Sequence, residues 1–201
     1  FLFSTTAGQL ADKYDKAWLI RRIKFAEIII MLIGCFALYN GNIALMMFIL
    51  FLLGVQSSFF GPIKYSIIPQ HLSSEELMAG NAQVGMGTFV SILLGTLLGG
   101  WLVTFPLGTL WVGALAIVMA VIGWYGSCQI PDAPADKGEI KISLNPVREA
   151  WRNLGFAREN MTVFYCIMGI SWFWLFGSSF LTQVPNFAMT VLQGHPTLIS
   201  I

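Results

Sequence analysis

Between Glu27 and Glu75 the sequence carries a single charged side chain, Lys64. Charge is scarce along the whole chain. Only 10% of the 201 residues are Asp, Glu, Lys or Arg, against about a quarter in a soluble domain. Hydrophobic residues make up 56%, with 16 phenylalanines, and the mean hydropathy is +0.73. A soluble fold of this length has no way to cover that much apolar surface. The net charge of +1 implies neither a nucleic-acid partner nor an acidic protein partner. Cysteine is scarce too: Cys35, Cys128 and Cys166 lie far apart, each inside an apolar run. Their odd number and spacing indicate neither a disulfide framework nor a zinc site, and buried thiols act as small hydrophobes. The sequence contains no nucleotide-binding loop and no metal cluster, so no cofactor or metal is implied.

What is present is a series of apolar runs, several exceeding the roughly 18 residues that separate a membrane span from a buried helix. The expected class is an all-α polytopic membrane protein. "FLFSTTAGQLA" reads as the end of one span, followed by the charged loop "DKYDKAWLIRRIK" and a span from about Phe25 to Tyr39. The turn "YNGN" leads to a span from about Ile43 through Pro62 to the Pro69 region, with kinks expected at Pro62 and Pro69. After the polar "QHLSSEELMAGNAQ" come a Gly-rich span ending near Thr104, a "FPLG" turn and a span from Thr109 to Cys128. A polar segment covers residues 131–160, and a further span runs from Thr162 to Leu181. "TQVPNFAMTVLQGHP" then connects to "PTLISI", the start of another span. Because the chain opens at Phe1 inside an apolar run, an internal fragment cut at both ends is expected, with no signal peptide.

Positive charge alternates along these connections. Every Lys and Arg lies in or beside the first, third or fifth connection, from Lys13 to Arg158, and "YNGN", "TFPLGT" and "TQVPNF" carry none. Basic residues stay on the cytoplasmic side during insertion, so the charged loops are expected inside and the neutral turns outside. In the long segment, "PDAPADKGEIK" reads as a linker. "SLNPVREAWRNLGFAREN" reads as a helix with Asn145 at the N-cap and Pro146 at its first position. Val147, Trp151 and Leu154 share one of its faces, which suits either a helix in the lipid headgroup layer or a solvated linker helix.

The stretch "GQLADKYDK" resembles the signature loop between the second and third helices of the major facilitator superfamily. Gly8, Asp12, Lys13 and Lys16 fit it, whereas Asp15 stands where glycine is usual. The resemblance implies a conformational latch: Gly8 for close helix approach, Asp12 at a helix N-terminus across the bundle, and the lysines pairing with carboxylates. "SILLGTLLGG" loosely resembles the superfamily's fifth-helix motif, and its Gly95, Gly99 and Gly100 are expected to pack helices closely. The implied fold has twelve helices in two halves, and this chain would run from the end of helix two to the start of helix eight. Residues 1–130 would belong to the N-terminal six-helix bundle, 131–160 to the cytoplasmic linker and 161–201 to the C-terminal bundle.

Within that superfamily, "FFGPIKYSIIPQHLSSEELMAGNA" resembles the bacterial lysophospholipid transporters, with Phe59, Phe60, Gly61, Pro62, Lys64, Tyr65, Pro69, Glu75, Glu76, Leu77 and Asn81 matching. "GISWFWLFGSSFLTQVPNF" is more similar to the transporter portion of transporter–acyltransferase fusions. Stand-alone members carry a basic residue in helix seven, and none occurs between Thr162 and Leu181. The implied function is movement of lysophospholipids, such as lysophosphatidylethanolamine, across the bacterial inner membrane for re-acylation by a fused or separate acyltransferase. A generic proton-coupled carrier of drugs or small solutes, and a bifunctional protein with an acyltransferase domain beyond residue 201, are the alternatives. Within these residues the enzyme reading is weak: His71 and Glu76 imitate an acyltransferase His-x4-acid pattern, but aspartate is expected there. His195 before Pro196 reads as a turn residue.

Lys64 lies roughly 30 Å along its span, near the cytoplasmic boundary. It either snorkels to the interface or faces a water-filled cavity, where its ammonium would meet a lipid phosphate. Glu27, one turn into its helix, either pairs locally with Lys24 or lines the pathway. Trp172, Trp174 and Phe180 either line an acyl-chain cavity or face lipid. Gln183 and Asn186 flank Pro185 at the outer end and are candidates for headgroup contact.

Overall fold

The computed structural model describes residues 2–135 and 145–191. Its described residues form eight helices: α1 Leu2–Lys13, α2 Lys16–Tyr39, α3 Ile43–Ser66, α4 Ile68–His71, α5 Leu77–Leu102, α6 Gly108–Cys128, α7 Pro146–Glu159 and α8 Met161–Thr190. They fall into two compact units, residues 1–146 and 147–201. Four stretches are long and apolar enough to cross a membrane: Ile43–His71, Leu77–Leu102, Gly108–Cys128 and Met161–Phe180. Almost none of their apolar surface is buried within the chain, as expected where lipid is the solvent and packing brings no hydrophobic gain.

Turn chemistry sets the helix ends. Asn40 closes α2, its amide donating to the Phe36 carbonyl at 3.0 Å. Gly41 takes the left-handed conformation, φ +62°, where glycine has no steric cost. Asn42 then caps α3 by accepting from the Leu45 N–H at 3.0 Å. Between α5 and α6, Leu107 has φ +62° without being glycine, a costly backbone for a branched side chain. Trp101 and Phe105 meet edge-on at 4.8 Å beside it, an aromatic pair of the kind that marks a membrane interface.

In the first unit α2 is central, packing on α3 along one side and α6 along the other, and α1 packs on α3. Ala11, Leu19, Ile20 and Ile63 form a small core at the charged end, with Phe60, Ile67 and Ile130 against it. The closest helix approaches occur at Gly34 and Gly113. A Cβ at Gly34 would stand 3.3 Å from Ile49, and one at Gly113 would stand 2.7 Å from Cys35 Sγ.

Among the described residues a Cβ at Gly8, Gly95 or Gly99 would meet nothing within 4 Å. Several helix bounds differ from expectation. The helix expected from Phe25 starts nine residues earlier, at Lys16, because Asp15 caps it and Leu19 and Ile20 enter the core. The expected span through Pro62 to the Pro69 region is the apolar stretch Ile43–His71, interrupted beside Pro69 where a kink is expected. Pro62 lies within α3, but the helix stops at Ser66 and a four-residue α4 follows with Pro69 in its first turn. Pro69 has no N–H for the Tyr65 carbonyl, and it disfavours helical geometry in the residue before it. The span expected from Thr162 to Leu181 coincides with the apolar stretch Met161–Phe180, and the helix itself continues as α8 through Pro185 to Thr190. Ser178, Ser179 and Thr182 hydroxyls bond back to carbonyls one turn earlier, satisfying their polar groups within the apolar helix. The centre of the linker (136–144), His195 and the expected next span at residues 196–201 lie outside the described residues.

Candidate functional site

Helices α2, α3 and α5 bring a polar cluster together inside the apolar bundle of the first unit. On α2, Lys24 Nζ donates to Glu27 Oε2 at 2.8 Å, a pairing that the three-residue spacing predicts. Both side chains are mostly buried, 20% and 16% exposed. From α3, Gln56 Nε2 donates to the same Glu27 oxygen at 2.7 Å. One turn along α3 from Gln56 is Phe60, whose ring has Lys24 Nζ 4.7 Å and Lys64 Nζ 6.0 Å from its centroid. Lys64 also lies 4.8 Å from the Tyr65 ring and donates to Thr88 Oγ1 of α5 at 3.3 Å. Thr88 in turn donates to the Val84 carbonyl at 2.7 Å.

Lys64 therefore has a hydroxyl and two ring faces but no ion pair among the described residues. A half-buried ammonium held by neutral groups keeps most of its capacity for an anion. Two ammoniums against one carboxylate leave the cluster with one excess positive charge, which one phosphodiester would neutralise. The sequence flagged Lys64 and Glu27 separately. It did not reveal Gln56, Thr88 or the shared ring of Phe60, because contacts between helices leave no spacing signal.

A second constellation forms at the charged end of the same unit. Asp15 Oδ1 caps α2 through the Trp18 N–H at 2.7 Å, and Oδ2 accepts from the Ala133 N–H at 2.9 Å. The Lys16 N–H donates to the Ala133 carbonyl at 2.9 Å. Arg21 donates to the Ile130 carbonyl at 2.8 Å and lies 3.5 Å from Asp132. Of the expected latch residues, Lys16 is buried at 2% exposed, Asp12 is half-buried, and Lys13 is exposed, 5.6 Å from the Tyr14 ring. Asp15, flagged only as a departure from the pattern, makes the contacts that tie the α1–α2 loop to the chain leaving α6. In the loop before α5, Glu76 accepts from the Ser73 hydroxyl at 2.8 Å and the Ser73 N–H at 3.1 Å. These two bonds hold its carboxyl below the usual carboxylate range.

The second unit contributes no comparable cluster among its described residues. In α7, Arg152 pairs with Glu149 at 2.5 Å, and Trp151 and Phe156 are exposed. Asn160 caps α8 through the Thr162 and Val163 N–H groups. Trp172 is 71% exposed, and Trp174 and Phe180 are also exposed among the described residues. Gln183 is exposed.

Comparison with known proteins agrees with the helical membrane architecture. The Major Facilitator Superfamily profile matches residues 1–201. The lysophospholipid transporter LplT of Photorhabdus laumondii is 28% identical over 179 residues, covering 86% of this chain and 42% of that protein. The Klebsiella pneumoniae protein of the same name is 28% identical over 182 residues with the same coverage. That of Yersinia enterocolitica is 31% identical over 114 residues, or 57% of this chain and 26% of its own length. The chain thus spans about two fifths of the length of the first of these relatives. No solved structure gives a match. With a family profile matching end to end and four apolar helices of spanning length, this membrane-spanning chain belongs to the major facilitator superfamily.

Proposed function

We propose that the full-length protein carries lysophospholipids, such as lysophosphatidylethanolamine, from the outer to the inner leaflet of a bacterial inner membrane, where an acyltransferase restores the second chain. The observation that carries this reading is Lys64, an ammonium among apolar helices that donates to Thr88, lies against two aromatic rings and has no ion pair among the described residues. In the proposed role it receives the lipid phosphate, with Lys24 as a second positive charge on the other contact to Phe60. Similarity to proteins named lysophospholipid transporters supports the choice of substrate. The charged loops would face the cytoplasm, and residues 1–130 and 161–201 would belong to two halves that rock about the site. The α1–α2 loop, with Gly8, Asp12, Lys13 and Lys16, would act as the latch.

The test is uptake and re-acylation of labelled lysophosphatidylethanolamine. Bacterial cells would lack their own lysophospholipid transporter, keep an acyltransferase and express the full-length gene. Loss of a charge-assisted contact is worth about 1.5–3 kcal/mol, or roughly tenfold and above. Lys64→Ala at matched membrane levels is therefore expected to reduce uptake at least about tenfold. Uptake unchanged by the substitution would make Lys64 an interfacial anchor, and no uptake by well-expressed wild type would sink the lipid assignment.

A further inference from the structure

The polar cluster has an apolar continuation. One turn beyond Glu27 on α2 is Met31, and one turn before Gln56 on α3 is Leu53. Both line a cleft of about 320 Å³ between α2, α3 and α6. It runs to Leu38 on α2 and Met46 on α3, seven residues along each helix and so about 10 Å in length. Every lining side chain is apolar. Gly34, Gly113 and Ala116 form its floor, where the close contact of Gly113 with Cys35 brings α2 and α6 together. Met47 and Leu50 stand exposed at its mouth. The volume lies near the lower end of the roughly 300–1,000 Å³ of small-molecule sites. Methionine walls adapt to a flexible occupant.

We propose that this cleft holds the single acyl chain of a lysophospholipid whose headgroup lies at Lys64 and Glu27. The inference rests on the function proposed above and adds a location for the chain. Its occupant follows from continuity: the Glu27–Gln56 hydrogen bond is the junction between a charged end and an apolar end, the arrangement of a one-chain amphiphile. A cleft about 10 Å long and of this volume takes the headgroup-proximal part of one extended chain, the remainder leaving through the open mouth beside Met47 and Leu50. Lys24 and Gln56 both donate to Glu27 Oε2. Oε1 is therefore left as an acceptor for the free glycerol hydroxyl, a group that a two-chain phospholipid lacks. The exposed Trp172 and Phe180 of α8 are not needed for the chain.

The experiment uses the full-length protein in cell membranes, with lysophosphatidylethanolamine carrying a diazirine midway along its chain. After photolysis, adducts are mapped by mass spectrometry, and uptake is measured on the same cells. Adducts are expected on the stretches containing Met31, Cys35 and Leu53. Excess unlabelled lysophosphatidylethanolamine should displace them, and excess two-chain phosphatidylethanolamine should not. Ala116→Leu from the floor and Leu50→Trp from the mouth should each shift uptake toward shorter chains by about tenfold. If either variant fails to reach the membrane, the wild-type adduct map decides. Active uptake with adducts elsewhere, or with cleft adducts that two-chain lipid displaces equally, would overturn the cleft while leaving the carrier function intact. Well-expressed protein without uptake would overturn both.

Discussion

Glu27 accepts two donors on one carboxylate oxygen, one from its own helix and one from α3. In a mostly buried setting such a pair contributes little over an apolar substitute, but breaking it leaves an uncompensated charge. Glu27→Gln and Lys24→Met should each lower the thermal stability of the purified full-length protein by about 2 kcal/mol. The double variant should recover most of that loss. Additive losses would show that the two groups act independently, since neighbours in one network couple by about 0.5–3 kcal/mol. At this scale the sequence revealed what lies on one helix. Lys24 and Glu27 are three residues apart, and periodicity alone makes them neighbours. Gln56 is 29 residues from Glu27 and Thr88 is 24 from Lys64, and their meeting depends on how each helix is rotated against the next. Lipid-facing and partner-facing sides are equally apolar in these helices, so no amphipathic pattern fixes that rotation.

At the scale of elements, short polar residues at helix ends govern the outcome. Asp15 both caps α2 and holds Ala133. Asp15→Asn keeps an oxygen for the Trp18 N–H but loses the second acceptor, whereas Asp15→Ala loses both. The alanine variant should cost about 1–2 kcal/mol through the cap alone, and the asparagine variant less. Both should raise amide exchange at Ala133, and an unchanged exchange rate there would refute the tether. Glu76 makes a pH-dependent counterpart at the start of α5. Its folded carboxyl titrates lower than in the unfolded chain. The stabilisation is therefore complete above the ordinary glutamate range and disappears as pH falls through the lowered folded value. Glu76→Gln should speed amide exchange in the first turn of α5 at neutral pH, and the difference from wild type should vanish in strong acid. A difference that persists there would point to something other than the carboxylate. The "YNGN" turn, the "FPLG" turn and the Pro146 helix start were legible because Asn, Gly and Pro act through local geometry. An interruption near Pro69 was legible too, whereas the uninterrupted passage of α3 through Pro62 and of α8 through Pro185 was not, since a proline interrupts one membrane helix and is absorbed by another according to backbone partners that spacing does not specify.

For the whole molecule, the distribution of basic residues is the feature with the widest consequence. The turn at Asn40–Asn42 and the α5–α6 turn carry no charge, whereas the α1–α2 connection and the start of α2, the approach to α5, and residues 131–160 hold or adjoin all the basic side chains. Each basic residue near a span resists translocation, and the bias acts over short loops of this kind. The expected orientation therefore places Asn40 outside and Ser74 inside. The thiols Cys35, Cys128 and Cys166 are free and, with every other cysteine of the full-length protein, are replaced by alanine to leave a background for single reporters. In intact spheroplasts expressing the full-length protein, a membrane-impermeant maleimide should label Asn40→Cys and spare Ser74→Cys until the membrane is opened. The reverse pattern would invert the topology and place Lys64 near the outer face. Phosphate capture by Lys64 would then occur at the opposite end of the transport cycle, and the cleft beyond Met31 would open toward the inner leaflet.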